Sequence, residues 1–463
     1  MAITGKNLDL SSDKAFVPSA YKLKSIIFTN YKGVEKDIQN IAVKMSISES
    51  LYSQSLTLNL TLKDSTNLIE EFPIVGQEKI QVKIEYKKRN GKLKTLNLKF
   101  YIAEYPTYGT TERQAYVQIV RLVGISEQSY ISNQKKISKG FTDNTATRIQ
   151  KILTEDLLLP KNKFRAADDA YKAISSVKGV INTQKPMEAI EWLRRQTFDV
   201  NYSPFFFFQT LNGKYKLFSH ASLVDDEVNQ VFDTYYDTRD FNTEAGTEED
   251  YLQRAQRILS VTSELKLNKS IQARRGAFAS TNRYLNYSDK TYTKFEYGYD
   301  KDFLGKKPTL EGKSILSDEF KIGGDSLLDF VESHCEYISV NSKAFEGDQA
   351  KNYNEESKTS RHFLNAYSSL FNTFTHDVRL HGDFKLNAGR KIILEFPKAI
   401  DPTIPQRDLP DKTSTNHFNE FLSGKYLITS AIHEFENDEY YVNLRVKRDS
   451  FSIDLPKKNK SEQ

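Results

Sequence analysis

One cysteine and one tryptophan stand among 463 residues. A lone Cys335 excludes an intrachain disulfide and suits a reducing compartment. No apolar run approaches the length of a membrane span, and the N-terminal MAITGKNLDLSSDKAF lacks the apolar centre of a signal peptide. The expectation is a soluble protein made in a cytoplasm, with no membrane partner. Charge of one sign is missing too. Sixty-six Lys and Arg face 61 Asp and Glu, which leaves +5 and argues against a dedicated nucleic-acid binder.

Signatures of catalysis are also absent. The chain has no GxxxxGK[ST] phosphate loop, no GxSxG elbow and no HExxH. Its seven histidines are His220, His334, His362, His376, His381, His417 and His433. His376 and His381 lie five apart in strand-like sequence, an odd separation that points them to opposite faces. His334-Cys335 falls in DSLLDFVESHCEYI (325–338), which reads as a helix, where neighbours do not face each other. No second His/Cys pair completes four zinc ligands. Asp225-Asp226-Glu227 and Glu248-Glu249-Asp250 offer paired carboxylates of the kind glycoside chemistry needs, but such runs read more simply as solvated loops. Gly323-Gly324-Asp325 reads as a turn and helix cap. The basic clusters Lys87-Lys88-Arg89, Arg194-Arg195, Arg274-Arg275 and Lys457-Lys458 are short and read as solvated faces. The expectation is therefore no enzyme, and no catalytic, cofactor-binding or metal-binding residue.

What is present is aromatic and strand-patterned, with 26 Tyr and 29 Phe. Residues 1–20 read as a polar N-terminal arm, and 21–125 as a first β-barrel. In the latter, SLTLNLTLK (55–63) alternates cleanly and Asn90-Gly91 marks a hairpin turn. Residues 126–215 read as a small α/β domain. DNTATRIQKILTEDLL (143–158) begins on an Asp/Asn cap, and PMEAIEWLRRQTF (186–198) begins on a helix-start proline and carries Trp192. SPFFFFQTLNGKYKLFSH (203–220) then reads as a hairpin around Asn212-Gly213, its four phenylalanines buried on both faces. Residues 216–264 read as strands joining a second barrel. Residues 265–375 read as a polar, Tyr-rich insertion with one helix and a mobile YNEESKTSRH loop (353–362). The second barrel is placed at 376–452 and a basic tail at 453–463. FLSGKYLITSAIHEFENDEYYVNLRVK (421–447) is a terminal hairpin turning at Glu436–Glu439.

The chain also repeats itself. FPIVGQEKIQVKIEY (72–86) resembles FKLNAGRKIILEF (384–396), which sets Gly76 and Ile80 against Gly389 and Ile392. LKFYIAEY (98–105) then matches SGKYLITSAIHEF (423–435), and AYVQIVRLV (115–123) parallels YYVNLRVK (440–447), Tyr116–Val120 falling on Tyr441–Arg445. The order is kept. A degenerate duplication of one small antiparallel barrel is expected.

Taken in order, LKDSTNLIEEFPIVGQEKIQVKI (62–84), TRIQKIL, PMEAIEWL, FFFFQTLNGKYKLFS, RRGAFAS (274–280), LNAGRKIILEFP and LSGKYLITSAIHEF…YYVNLRVKRDSF form a recognisable series. It is similar to that of the baseplate central hub protein of T-even-type contractile-tail phages, itself related to the hub part of VgrG-type spikes. The likeness covers roughly residues 20–452, while 237–255 and much of 281–375 match nothing in it. It implies an α+β, mainly β fold: two small antiparallel β-barrel (tube-type) domains, an inserted α/β domain and a polar, loop-rich insertion. It further implies a structural virion protein of the tail baseplate, trimeric, joining a three-fold central spike to a six-fold tail tube. The implied partners are two further copies of itself, the spike, the tail tube or tube initiator, wedge proteins and the tape-measure protein, with no cofactor. Two other readings stay open: a wedge or tube-initiator component, or a tail-associated cell-wall hydrolase with unrecognised carboxylates.

Overall fold

The computed structural model describes residues 17–65, 68–111, 114–174, 179–225, 231–236, 248–340, 357–398 and 418–455. The first strands are β1 (Tyr21–Thr29), β2 (Glu35–Asp37), β3 (Ala42–Ser50), β4 (Thr57–Asp64), β5 (Lys79–Lys87), β6 (Leu93–Thr111) and β7 (Gln114–Ser126). Their alternation is what buries them. Leu58, Leu60 and Leu62 of β4 lie in the core, and each contributes roughly 1.5–3 kcal/mol by leaving water. Gly91, at φ 77°, closes the β5–β6 hairpin as its sequence signal requires.

A second hydrophobic core lies between Ile137 and Leu217. It holds β8 (Ile137–Phe141), β9 (Phe164–Ala166), β10 (Gly179–Gln184), β11 (Phe205–Gln209) and β12 (Tyr215–Ser219), with helices Thr145–Lys151 and Pro186–Arg195. The Asn144 side chain accepts from the Thr147 N–H and starts the first helix, and Pro186 opens the second. All five residues of β11 are buried, as the phenylalanine run implied. Then come β13 (Val231–Tyr236) and β14 (Ile258–Leu265), the Tyr-rich sheet β15 (Ala279–Asn286), β16 (Thr291–Gly298) and β17 (Cys335–Val340), and finally β18 (Phe374–His381), β19 (Lys391–Glu395), β20 (Gly424–Glu436) and β21 (Glu439–Arg448). The turn between β20 and β21 places Asn437 and Asp438 at φ 51° and 63°, the left-handed pair that a tight hairpin needs.

The repeat is visible in the topology. One sheet of thirteen strands runs β14–β18–β21–β20–β3–β4–β7–β6–β5–β1–β2, with β19 leaving β20 and β13 leaving β19. It contains the series β3–β4–β7–β6–β5–β1 and the series β14–β18–β21–β20–β19–β13. Ranked by chain order within each half, omitting β2, both read 2-3-6-5-4-1. The bulges agree as well. Between β6 and β7 the register slips at Ile102/Glu104 opposite Gly124/Val123, and between β20 and β21 it slips at Ile428/Ser430 opposite Val446/Arg445. Between β3 and β4 it slips at Ala42/Lys44 opposite Leu62/Thr61, and between β14 and β18 at Ile258/Ser260 opposite Leu380/Arg379. Stepping strand by strand, both slips give one alignment, which sets Ile80 on Ile392. Two independent bulges at equivalent places are not expected from strand–turn–strand recurrence. Gly76 and Gly389, at φ 88° and 78°, precede equivalent strands. One difference is real: β1 runs antiparallel to β5, but β13 runs parallel to β19.

Several expectations need correction. The match of Val120 to Arg445 is displaced by three residues, because the ladders bring Val120 level with Val442, which is buried like it. Residues 325–338 form no helix: one 3-10 turn at Val331–Ser333 leads into β17, whose parallel partner β15 overrides local helix propensity. Within the YNEESKTSRH loop, residues from Ser357 onward belong to the helix Ser357–Leu370, which buries Phe363, Ala366, Tyr367 and Leu370 at helical spacing; the rest of that stretch lies outside the described residues. The 216–264 segment carries helices His220–Val224 and Glu248–Ala255 besides its strands.

Among the described residues neither half is closed into a separate barrel by a strand ladder. Among the described residues no ladder joins β1 to β3 or β13 to β14. A single bridge links Tyr236 to Arg257, and the Ile38 N–H reaches the Ile26 carbonyl at 2.9 Å. The structure is mainly β, its two halves fused through β3 and β20.

Candidate assembly interface

The joint between halves is an antiparallel ladder from Ser50 opposite Ser430 to Lys44 opposite Glu436. Lys44 ends it with ion pairs to Glu434 at 2.7 Å and Glu436 at 2.8 Å, which pull its pKa upward. The other end is tied by a buried carboxylate. Glu49, 1 % exposed on β3, accepts the Leu211 N–H at 2.5 Å on one oxygen and the Ala388 N–H at 2.6 Å on the other. His433 Nε2 lies 3.7 Å away, and its Nδ1 shares a 2.7 Å hydrogen bond with the Tyr440 hydroxyl. One side chain thereby joins the first half, the β11–β12 hairpin and the loop before β19. No sequence motif announces Glu49. Its only signal is a carboxylate in an otherwise apolar-alternating strand.

The rim of the sheet contrasts with this joint. Among the described residues no strand pairs with the outer side of Ser260–Leu265 in β14, nor with the side of Thr107–Thr110 opposite β7. Leu259 and Leu265 of β14 are 39 % and 44 % exposed. An edge of this kind pairs readily with another strand unless something covers it.

A cavity of about 400 Å³ opens where three turns meet. The Lys87–Arg89 turn and Lys94 come from the β5–β6 hairpin, Lys216 from β12, and Lys385 and Arg390 from the loop after β18, with Asp383 the one carboxylate on the wall. Burial and the nearby Arg390 push the Lys216 ammonium down to about 8. The basic run read from sequence as a solvated face thus shares a wall with cations distant in the chain.

The residues weighed for catalysis do not assemble. His376 is bonded to Ser263 Oγ and the Tyr426 hydroxyl, and His362 to Ser280 Oγ, all inside the protein. Burial pushes both imidazoles down to about 4. His220 is pushed to about 3 by burial between Tyr367 and Phe371, and lies 4.0 Å from Asp449. His334 meets the Arg274 carbonyl, Glu336 and Asn365. It precedes Cys335 at the start of a strand, so the two point to opposite faces, and the pair stays unassembled for a different reason from the helical one expected. Strand geometry likewise sends His376 inward and leaves His381 partly exposed. Arg194 and Arg195 are both paired with Glu191, and Arg274-Arg275 ends a short helix. Gly323 and Gly324, at φ 63° and 102°, form a turn. Glu248 to Asp250 open a helix, whereas Asp226, Glu227, His417, Lys457 and Lys458 lie outside the described residues. Among the described residues no three His, Cys, Asp or Glu gather as metal ligands, and no helix is long and apolar enough to cross a membrane.

No protein-family model matches the chain, and no curated protein matches it. Solved structures do. The tail protein from Neisseria meningitidis MC58 is similar over 94 % of this chain and 99 % of its own, at TM-score 0.50 and 9 % identity. The 43 kDa tail protein of prophage MuSo2 from Shewanella oneidensis is similar over 92 % and 98 %, at TM-score 0.50 and 13 % identity. A Francisella PdpA–VgrG complex aligns with 94 % of this chain and 53 % of that chain, at TM-score 0.42 and 11 % identity. At such identities the likeness shows the fold alone, and that fold is shared with these two tail proteins.

Proposed function

We propose that the protein is a structural component of a phage tail, a baseplate hub whose three copies form a ring between a three-fold central spike and a six-fold tail tube. Residues 21–125 and 376–452, with the strands of 216–264, are the two tube units in this reading, and 126–215 decorates them. The observation that carries it is the internal repeat joined by one ladder. A chain that contains two equivalent units and joins them through β3 and β20 presents the same joint again at its free rim, and three such chains supply six near-equivalent faces. The fold shared with the two tail proteins supports the setting. Spike, tube or tube initiator, wedge and tape-measure proteins are the partners proposed on that ground. The role is architectural rather than enzymatic, and each joint is expected to bury on the order of 1,000 Å² or more. Native mass measurement over a concentration series tests it. Three copies per particle are expected, and a stable particle of one, two or six copies overturns the hub.

A further inference from the structure

The repeat specifies more than that a second joint exists. It specifies which residues meet. Inside the chain, β20 is covered in two stretches: β19 pairs with Gly424–Leu427, and β3 takes over from Ser430 to Glu436. Among the described residues its counterpart β6 is covered in the first stretch alone, by β5 along Leu93–Tyr101. Beyond Glu104 the side of β6 away from β7 pairs with no strand among the described residues. The strand that covers β20 is β3, and the counterpart of β3 is β14, whose outer side is likewise open.

The bulges convert this into a register. Against their common partners, Lys44–Ser48 of β3 hold the places that Ser260–Glu264 hold in β14, since Lys44 faces Thr61 and Ser260 faces Arg379 directly after the shared slip. In β6 a further slip between Glu104 and Thr107 inserts one residue that β20 lacks. Thr107, opposite Arg121, therefore stands where Ile432 stands opposite Asn443. Ile432 faces Ser48 in the internal joint, and Phe435 faces Met45. We infer that β14 pairs antiparallel with β6 of a second copy of this chain, Thr107 opposite Glu264, Tyr108 opposite Ser263, Gly109 opposite Thr262 and Thr110 opposite Val261.

Burial on the two sides of the comparison fits. Met45 and Ile47 of β3 are fully buried where β20 covers them, whereas their counterparts Val261 and Ser263 are half-buried and exposed. Leu265, the counterpart of Glu49, is exposed. An occupant that extends the sheet removes this surface and satisfies a row of backbone groups. β14 pairing with β14 of another copy is the competing arrangement, and it would leave the free stretch of β6 unused. The β6–β14 contact is head-to-tail, so it closes a ring or grows a filament, whereas a β14–β14 contact stops at two.

The inference rests on the ring reading, and the test separates the two. Thr107→Cys and Glu264→Cys are introduced together into a Cys335→Ser chain, with Thr107→Cys plus Thr262→Cys as the pair shifted by two residues on the same face. Residues directly opposite have Cβ atoms about 4.5–5.5 Å apart and diagonal ones about 7–8 Å, and a disulfide needs about 3.5–4.5 Å. After oxidation, non-reducing electrophoresis of samples with parental circular dichroism is expected to show covalent species up to three chains, at least tenfold more abundant for 107/264 than for 107/262. Three copies by mass with cross-linking that favours 107/262, or with none, overturns this register and leaves the ring standing. Glu264→Cys alone cross-linking as efficiently as the pair assigns the edge to β14–β14 and overturns it. Absence of any association overturns both.

Discussion

Removing the Glu49 carboxylate should loosen three parts of the protein at once. It is buried, and its two oxygens accept the Leu211 and Ala388 N–H groups at 2.5 and 2.6 Å. Hydrogen bonds to a charged acceptor contribute about 1.5–3 kcal/mol each, and a buried N–H left without an acceptor costs about 1–3 kcal/mol. Glu49→Ala is therefore expected to lose about 3–5 kcal/mol, a large part of the roughly 5–15 kcal/mol that holds a typical domain folded. Glu49→Gln keeps one acceptor but turns an amide NH₂ toward the other donor, and about 2–3 kcal/mol is expected. Trp192 supplies a local probe, since it packs beside Phe141 against the core of the α/β unit. Urea unfolding followed by Trp192 fluorescence and by far-ultraviolet circular dichroism should coincide in the parent and separate in Glu49→Ala, because the α/β unit loses one of its ties to the sheet and keeps weaker ones such as Leu56 N–H to Gln209 and Ser126 to the Tyr215 hydroxyl. A loss below about 0.5 kcal/mol with coincident transitions would refute the reasoning, since the N–H groups would then find other acceptors at little cost.

The repeated glycines should respond unequally: both sit at positive φ, but a Cβ on Gly76 meets open space while one on Gly389 comes within 2.8 Å of the Phe208 ring. By thermal denaturation Gly76→Ala is expected to cost about 1–2 kcal/mol for backbone strain, and Gly389→Ala a further 1–3 kcal/mol or so for overpacking. Lys216 has a folded pKa of about 8, below its unfolded value, so the charged form is penalised below pH 8 and the penalty fades as pH rises towards the unfolded value. Lys216→Met should accordingly stabilise the protein by on the order of 1–3 kcal/mol at pH 7, with the gain shrinking toward pH 10 in denaturant titrations. Burial raises the Asp449 carboxyl to about 6, so the folded state favours the proton and stability is lost as pH climbs from about 4 through 6. Asp449→Asn should be more stable than the parent at pH 8, by about 2 kcal/mol, with the difference closing near pH 4.

Period-two alternation located β4, β5 and β21, and turn chemistry located the hairpins at Gly91, Gly213 and Asn437, because each signal is local and independent of what packs on it. The duplication was legible through Gly76 and Gly389, and its register at β5 and β19 through Ile80 and Ile392, but the register of the last strand was not. Val120 and Arg445 share a place in the phrase but not in the ladder, since the hairpin from Ile102 to Gly124 is longer than that from Ile428 to Val446, an insertion that leaves no mark in composition. The segment 325–338 was misread because apolar spacing there suits a helix, while the pairing that makes Cys335–Val340 a strand comes from residues 281–286, some fifty positions away. The helix Ser357–Leu370 was readable in principle, from Phe363, Ala366, Tyr367 and Leu370, but its polar start masked the period. Glu49 and the basic cavity were not legible, because both depend on which turns converge after folding.

The two halves agree where the proposed interface must repeat and differ where it need not. Strand order and two bulges are shared along β3–β4–β7–β6 and β14–β18–β21–β20, the stretch that forms the internal joint and its proposed twin. Past that stretch the likeness decays. β1 is antiparallel to its neighbour and β13 parallel, the α/β unit follows only the first half, and the Tyr-rich sheet interrupts only the second. A bulge in an edge-forming strand sets the twist that lets the next strand dock, so loss of either shared bulge would spoil one joint of two. Changes in the connections cost the joints nothing. A three-copy ring built this way repeats its joints six times and its decorations three times. In the proposed hub one face then matches a six-fold partner while the opposite face matches a three-fold one, and the duplication is the feature of the chain on which both matches rest.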